Sequence, residues 1–72
     1  MIIMILMIIL LSKHAKERMA EKGITIGMVK EAIKRGSITR QTDGYMATYS
    51  YFAVAYKTIK PDVYKIKTVM VK

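Results

Sequence analysis

The feature that most constrains this chain is a change of hydrophobic period at Gly36. Before it, apolar residues recur with a helical spacing; after it, they alternate along segments rich in β-branched and aromatic residues. Upstream, Ser12 is a good N-cap for a helix over Lys13 to Glu21, with Ala15 and Met19 one turn apart on its apolar face. Gly23 suits the left-handed position that ends such a helix. Thr25 caps a second helix, in which Ile26, Val29, Ala32 and Ile33 follow the 3.6-residue repeat. Lys34 and Arg35 then complement the helix dipole, and Gly36 is read as its C′ glycine.

Downstream, Ser37 to Thr42 reads as a strand, and Asp43-Gly44 as a hairpin turn of the kind that needs positive φ. Tyr45 to Ile59 reads as one long strand or a strand with a bulge. Lys60-Pro61-Asp62 is a turn. Val63 to Val71 alternates, with Tyr64, Ile66, Thr68 and Met70 on one face and Lys65 and Lys67 on the other. The expected fold class is α+β in the order β-α-α-β-β-β, a two-helix hairpin packed on one face of an antiparallel sheet. Val29, Ile33, Ile66 and Met70 are expected to share the core.

Met1 to Leu11 contains only Met, Ile and Leu. Eleven residues are too few for a spanning helix, which needs roughly 20. No basic region precedes the run and no small-residue cleavage site follows it, so a secretory signal is not read here. Its Ile content favours a buried N-terminal strand, Ile5 to Leu11, with an overlong apolar lead. Met4 and Met7 are alternative starts. Such a run is expected to form an interface, most simply in a homo-oligomer through this strand. Membrane attachment is not expected, and the location is expected to be cytoplasmic. The chain reads as a single domain over residues 1–72: the apolar strand in 1–11, the helical hairpin in 12–36 and the meander in 37–72.

Seventy-two residues build only a small core, and no cysteine is present to reinforce it. One histidine and no cysteine exclude cysteine-zinc and His-rich metal sites, so neither metal nor cofactor is expected. No phosphate-binding glycine loop, paired-carboxylate set or nucleophile elbow is found. Thirteen Lys and Arg against five acids give a formal charge of +8, which favours a polyanionic partner, RNA above all.

His14 and Arg18 are four apart and share one helix face, with Glu17 and Glu21 beside them. A histidine next to a permanent cation suits phosphoryl chemistry. From spacing alone, the favoured reading is the plainer one, that His14 caps and packs the first turn. The stretch Ser12-x-His14-Ala15-x-x-Arg18-Met19, followed by Glu21, Gly23-Ile24, Val29 and Gly36, resembles the domain-of-unknown-function 4258 family. The resemblance covers about residues 8 to 72, continuing less sharply into the strands and ending on the Ile66-Lys67-Thr68-Val69 segment. It implies a fold similar to the RelE/ParE-like toxins and the related BrnT group, many of which cleave RNA, often on the ribosome, and are neutralised by an antitoxin protein.

On that resemblance the protein would be a toxin-like RNA binder and a metal-independent endoribonuclease. His14 would carry protons and Arg18 would hold phosphate. Lys13, Arg40, Lys65 and Lys67 would position the backbone, and Tyr49 and Tyr51 would stack bases. Arg40 shares a strand face with Ile38 and Thr42, which turns it towards the helices. Two other readings stay open: a non-catalytic nucleic-acid- or protein-binding module of the same fold, and an oligomerising interaction protein.

Overall fold

Ser12 fixes where the first helix begins. Its hydroxyl accepts from the Ala15 N–H at 3.0 Å and donates to the Lys67 carbonyl at 3.1 Å, which ties the helix start to the last strand. The computed structural model describes residues 7–72, running β1 (Ile8–Leu11), α1 (Lys13–Lys22), α2 (Ile26–Arg35), β2 (Ser37–Gln41), β3 (Gly44–Tyr49), β4 (Phe52–Lys60) and β5 (Val63–Val71). The Ile5–Leu6 part of the expected N-terminal strand and the lead before it lie outside the described residues.

Gly23 ends α1 in the left-handed region (φ 69°), as its position suggested. Thr25 caps α2 by accepting from the Met28 N–H at 3.2 Å. In return the Met28 thioether accepts from the Thr25 N–H at 3.5 Å, so a methionine takes the place that Glu or Gln usually holds in a capping box. Gly36 behaves differently from the expectation. Its backbone is extended (φ −74°, ψ 172°), which any residue can adopt. Glycine is needed there for space: a Cβ would lie 2.4 Å from the Ala32 carbonyl oxygen and 2.7 Å from that of Thr48. The missing side chain lets the end of α2 come down onto β3.

The two helices cover one face of a five-stranded sheet in the order β1-β5-β4-β3-β2. Strands β2 to β5 form the expected antiparallel meander. The sheet as a whole is mixed, because β1 joins the β5 edge in parallel, Ile8 opposite Val63 and Leu11 opposite Ile66. Parallel neighbours need a long crossover, which the helices and β2–β4 supply. The chain α1 lies over β5, and α2 lies over β3 and β4.

Three further expectations are corrected. The segment Tyr45 to Ile59 is two strands, since Ser50-Tyr51 forms a tight turn with Ser50 at φ 54° and Tyr49 paired to Phe52. The order is therefore β-α-α-β-β-β-β. The β2–β3 turn is centred on Thr42-Asp43, and the positive φ falls on Gly44 alone (116°). Strand β5 also changes phase. Tyr56 pairs with Ile66 and Ala55 with Thr68, leaving Lys67 as an extra residue in a β-bulge. One inserted residue reverses the alternation beyond it. Val69 consequently faces the helices, 1 % exposed, while Met70 points away, 38 % exposed, and does not join the core.

Ala15, Met19, Val29, Phe52, Val54 and Ile66 are central to that core, with Ile33 packed against it. Behind the core, the open face of the sheet carries Ala53 and Ala55, buried beside their partners Thr48, Met70, Met46 and Thr68. No helix among the described residues is long and apolar enough to cross a membrane.

Candidate nucleic-acid interface

Because Ala15 and Met19 point into the core, His14 and Arg18 run along the flank of α1. Lys13 and His14 are exposed in its first turn, and His14 makes no hydrogen bond among the described residues. Arg18 is half-buried. Its Nη1 lies 3.9 Å from Glu21 Oε1, a loose pair, and its Nε is buried without a hydrogen-bond partner among the described residues. The described residues form no pocket beside this pair and hold no cluster of metal-ligating side chains.

A second group of cations lies on the open face. Lys57 and Lys65 are cross-strand partners on β4 and β5. Their neighbours Tyr56 and Ile66 face the helices, so alternation turns both lysines outward. Lys67, freed from pairing by the bulge, reaches across to the β2–β3 turn. There its Nζ donates to the Asp43 carbonyl oxygen and lies 3.2 Å from Asp43 Oδ2, while Lys57 Nζ lies 3.4 Å from Oδ1. Hydrogen bonds from Lys67 and Lys57, backed by their charges, hold the Asp43 carboxyl below its usual range. The carboxylate thus stays ionised through mild acid.

The helix-side face of the same sheet end is aromatic. Arg40 pairs with Tyr45 in register, and Tyr45 with Tyr56. Tyr45 and Tyr56 stack with ring centroids 5.7 Å apart, and Tyr64 meets Tyr56 edge-on at 5.7 Å. Burial, with Tyr64 and Tyr45 adding to it, pushes the Tyr56 hydroxyl up, so it stays neutral at ordinary pH. Arg40 does face the helix side of the sheet, as its spacing from Ile38 indicated.

A family model described as "Domain of unknown function (DUF4258)" matches residues 11–71. The chain belongs to this family. No curated protein and no solved structure matches it significantly. The family segment takes in both helices and the whole meander, and only Leu11 of β1. Within it, the residues singled out from sequence separate into distinct places. Lys13, His14 and Arg18 sit on the helical layer, whereas Lys65 and Lys67 sit on the reverse of the sheet. Tyr49 is half-buried against the core, edge-on to Phe52 at 6.1 Å. Tyr51 is 49 % exposed at the β3–β4 turn, at the opposite end of the sheet from Lys65.

Sequence reading missed Lys57, the Asp43 link and the tyrosine row. Alternation around Tyr56-Lys57-Thr58 was the available signal for Lys57. The row was hidden because Tyr45 and Tyr56 become partners only through the turn at Ser50-Tyr51.

Proposed function

We propose that this family member is a toxin-like RNA-binding protein of RelE-like build, which takes the phosphate backbone on the lysine-bearing face of its sheet. The observation that carries the reading is the gathering of Lys57, Lys65 and Lys67 on one face at one end of the sheet. Arg40 and Tyr45 lie on the reverse of that end, where a guanidinium and an aromatic ring suit a splayed base. Lysines that neutralise phosphates release counterions, so binding must weaken as salt rises. Lys57→Ala and Lys65→Ala should each flatten the slope of log affinity against log salt by about 0.7 for a single-stranded RNA. Fluorescence anisotropy across a salt series measures this, and unchanged slopes in both variants would remove the open face from the interface.

Metal-independent cleavage is the catalytic arm of the proposal. It rests on His14 as proton carrier and Arg18 as phosphate ligand on α1, with ribosomal or free RNA as substrate and an antitoxin protein as the neutralising partner. Lys13, at the start of the same helix, would add a backbone contact. The non-catalytic reading is favoured by one observation, the absence of a pocket beside His14 among the described residues. Incubation of the purified protein with ribosomes and with free RNA decides between them.

Self-association belongs to the same proposal. Ile8 and Leu10 on β1 leave more than two-fifths of their surface exposed, and β1 is the outer strand on that side. Light scattering should show a dimer or larger species, and a clean monomer at high micromolar concentration would count against it.

A further inference from the structure

The Asp43 carboxylate presents its two oxygens to two different ammonium groups, Oδ1 to Lys57 on β4 and Oδ2 to Lys67 in the β5 bulge. Two non-bridging oxygens of a phosphodiester offer the same pair of acceptors and the same single charge. We infer that Lys57 and Lys67 form a phosphodiester seat that the Asp43 carboxylate fills until a nucleic-acid backbone displaces it, so that Asp43 sets the strength and salt dependence of binding. This rests on the RNA-binding reading of the open face.

Three further features agree with an exchangeable occupant. All three side chains are substantially exposed, at 53 % for Lys57, 38 % for Lys67 and 68 % for Asp43, and exposed ion pairs hold weakly. Asp43 sits at the tip of a two-residue hairpin turn, so its side chain can swing away without disturbing a ladder. Lys65, the cross-strand partner of Lys57, makes no ion pair among the described residues and is free to take the first phosphate.

The opposing possibility is that Asp43 is a clamp that holds both lysines in place for the ligand. The two roles predict opposite signs. Asp43→Asn isolates the charge, because Asn serves hairpin turns as well as Asp does. Asp62→Asn, in the β4–β5 turn, removes the same charge from a residue with no ion pair among the described residues. A labelled single-stranded oligouridylate is titrated into wild type and both variants at several salt concentrations, with circular dichroism confirming the fold.

Asp43→Asn should bind about threefold to tenfold more tightly than Asp62→Asn. Its salt slope should be steeper by about 0.7 per lysine released. Equal behaviour of the two variants, or weaker binding by Asp43→Asn, overturns the inference while salt-sensitive binding by wild type leaves the RNA reading standing. No binding by any of the three overturns both. A measurement on the unmutated chain guards against a fold defect: the Asp43 carboxyl carbon signal should move towards that of an unpaired aspartate as RNA is added. A signal that stays put while RNA binds overturns the exchange.

Discussion

On the proposed catalytic reading, His14→Ala is expected to lower RNA cleavage about 10²–10⁴-fold, the range typical of a general acid–base group, while RNA affinity changes little. In metal-independent cleavage the 2′-hydroxyl of the substrate attacks its own phosphate, which needs a base for the hydroxyl and cations for the phosphate. His14 is exposed in the first turn of α1, outside the core and without a hydrogen bond among the described residues. Its removal therefore costs the fold little, and lost activity could not be assigned to unfolding. Arg18, one turn on, is held only loosely by Glu21 with its side chain 41 % exposed, so the tip of its guanidinium is available to charge developing on phosphate. Arg18→Ala should reduce both cleavage and affinity. A 2′-deoxy substitution at the cleaved nucleotide should abolish cutting by the wild type. Full activity in His14→Ala would return this residue to helix packing, and cleavage restored by magnesium after chelation would sink the metal-free route.

Phe52→Ala is expected to cost about 3–5 kcal/mol of stability. Phe52 is 1 % exposed at the start of β4, with the rings of Tyr49 and Tyr51 edge-on to it at 6.1 and 5.6 Å. A domain of this size is held by about 4–11 kcal/mol in all, so one truncated ring removes a large share. Thermal unfolding should shift by at least about 12 °C, taking about 4–8 °C per kcal/mol. Met70→Ala supplies the contrast. With the phase of β5 reversed at Lys67, that side chain lies on the open face, and its loss should cost under about 1 kcal/mol. A Met70→Ala variant as unstable as Phe52→Ala would mean that the bulge is absent.

The helices were legible because their ends carry local chemistry: Ser12, Gly23 and Thr25 act within a few residues of themselves. The meander was legible from Asp43-Gly44 and Pro61, which punctuate strands for equally local reasons. The turn at Ser50-Tyr51 carries no Gly, Pro or Asn, so nothing in the text of the chain divides Tyr45 to Ile59. The bulge at Lys67 is likewise silent, since alternation in Val63 to Val71 reads smoothly in either phase until a partner strand imposes one. The parallel placement of β1 depends on residues nearly a chain length away. The candidate site divides along the same line. His14 and Arg18 are neighbours by helical spacing alone, whereas Lys57, Asp43 and Lys67 meet only through a hairpin tip, a register and a bulge. Tyr49 and Tyr51 share a face in one unbroken strand, and the unmarked turn separates them.

The pairing of β1 with β5 also fixes an order of events during synthesis. Ile8–Leu11 leave the ribosome before their strand partner among the described residues, Val63–Ile66, is made. Contacts between such distant segments form late, after the loop between them has closed. The helical hairpin and the first hairpin of the meander can assemble while the most apolar strand of the described chain still has no edge to join. An unpaired strand of this kind is open to neighbouring chains and to chaperones. Docking of β1 is thus expected late in folding, with the new chain at its most adhesive just before it.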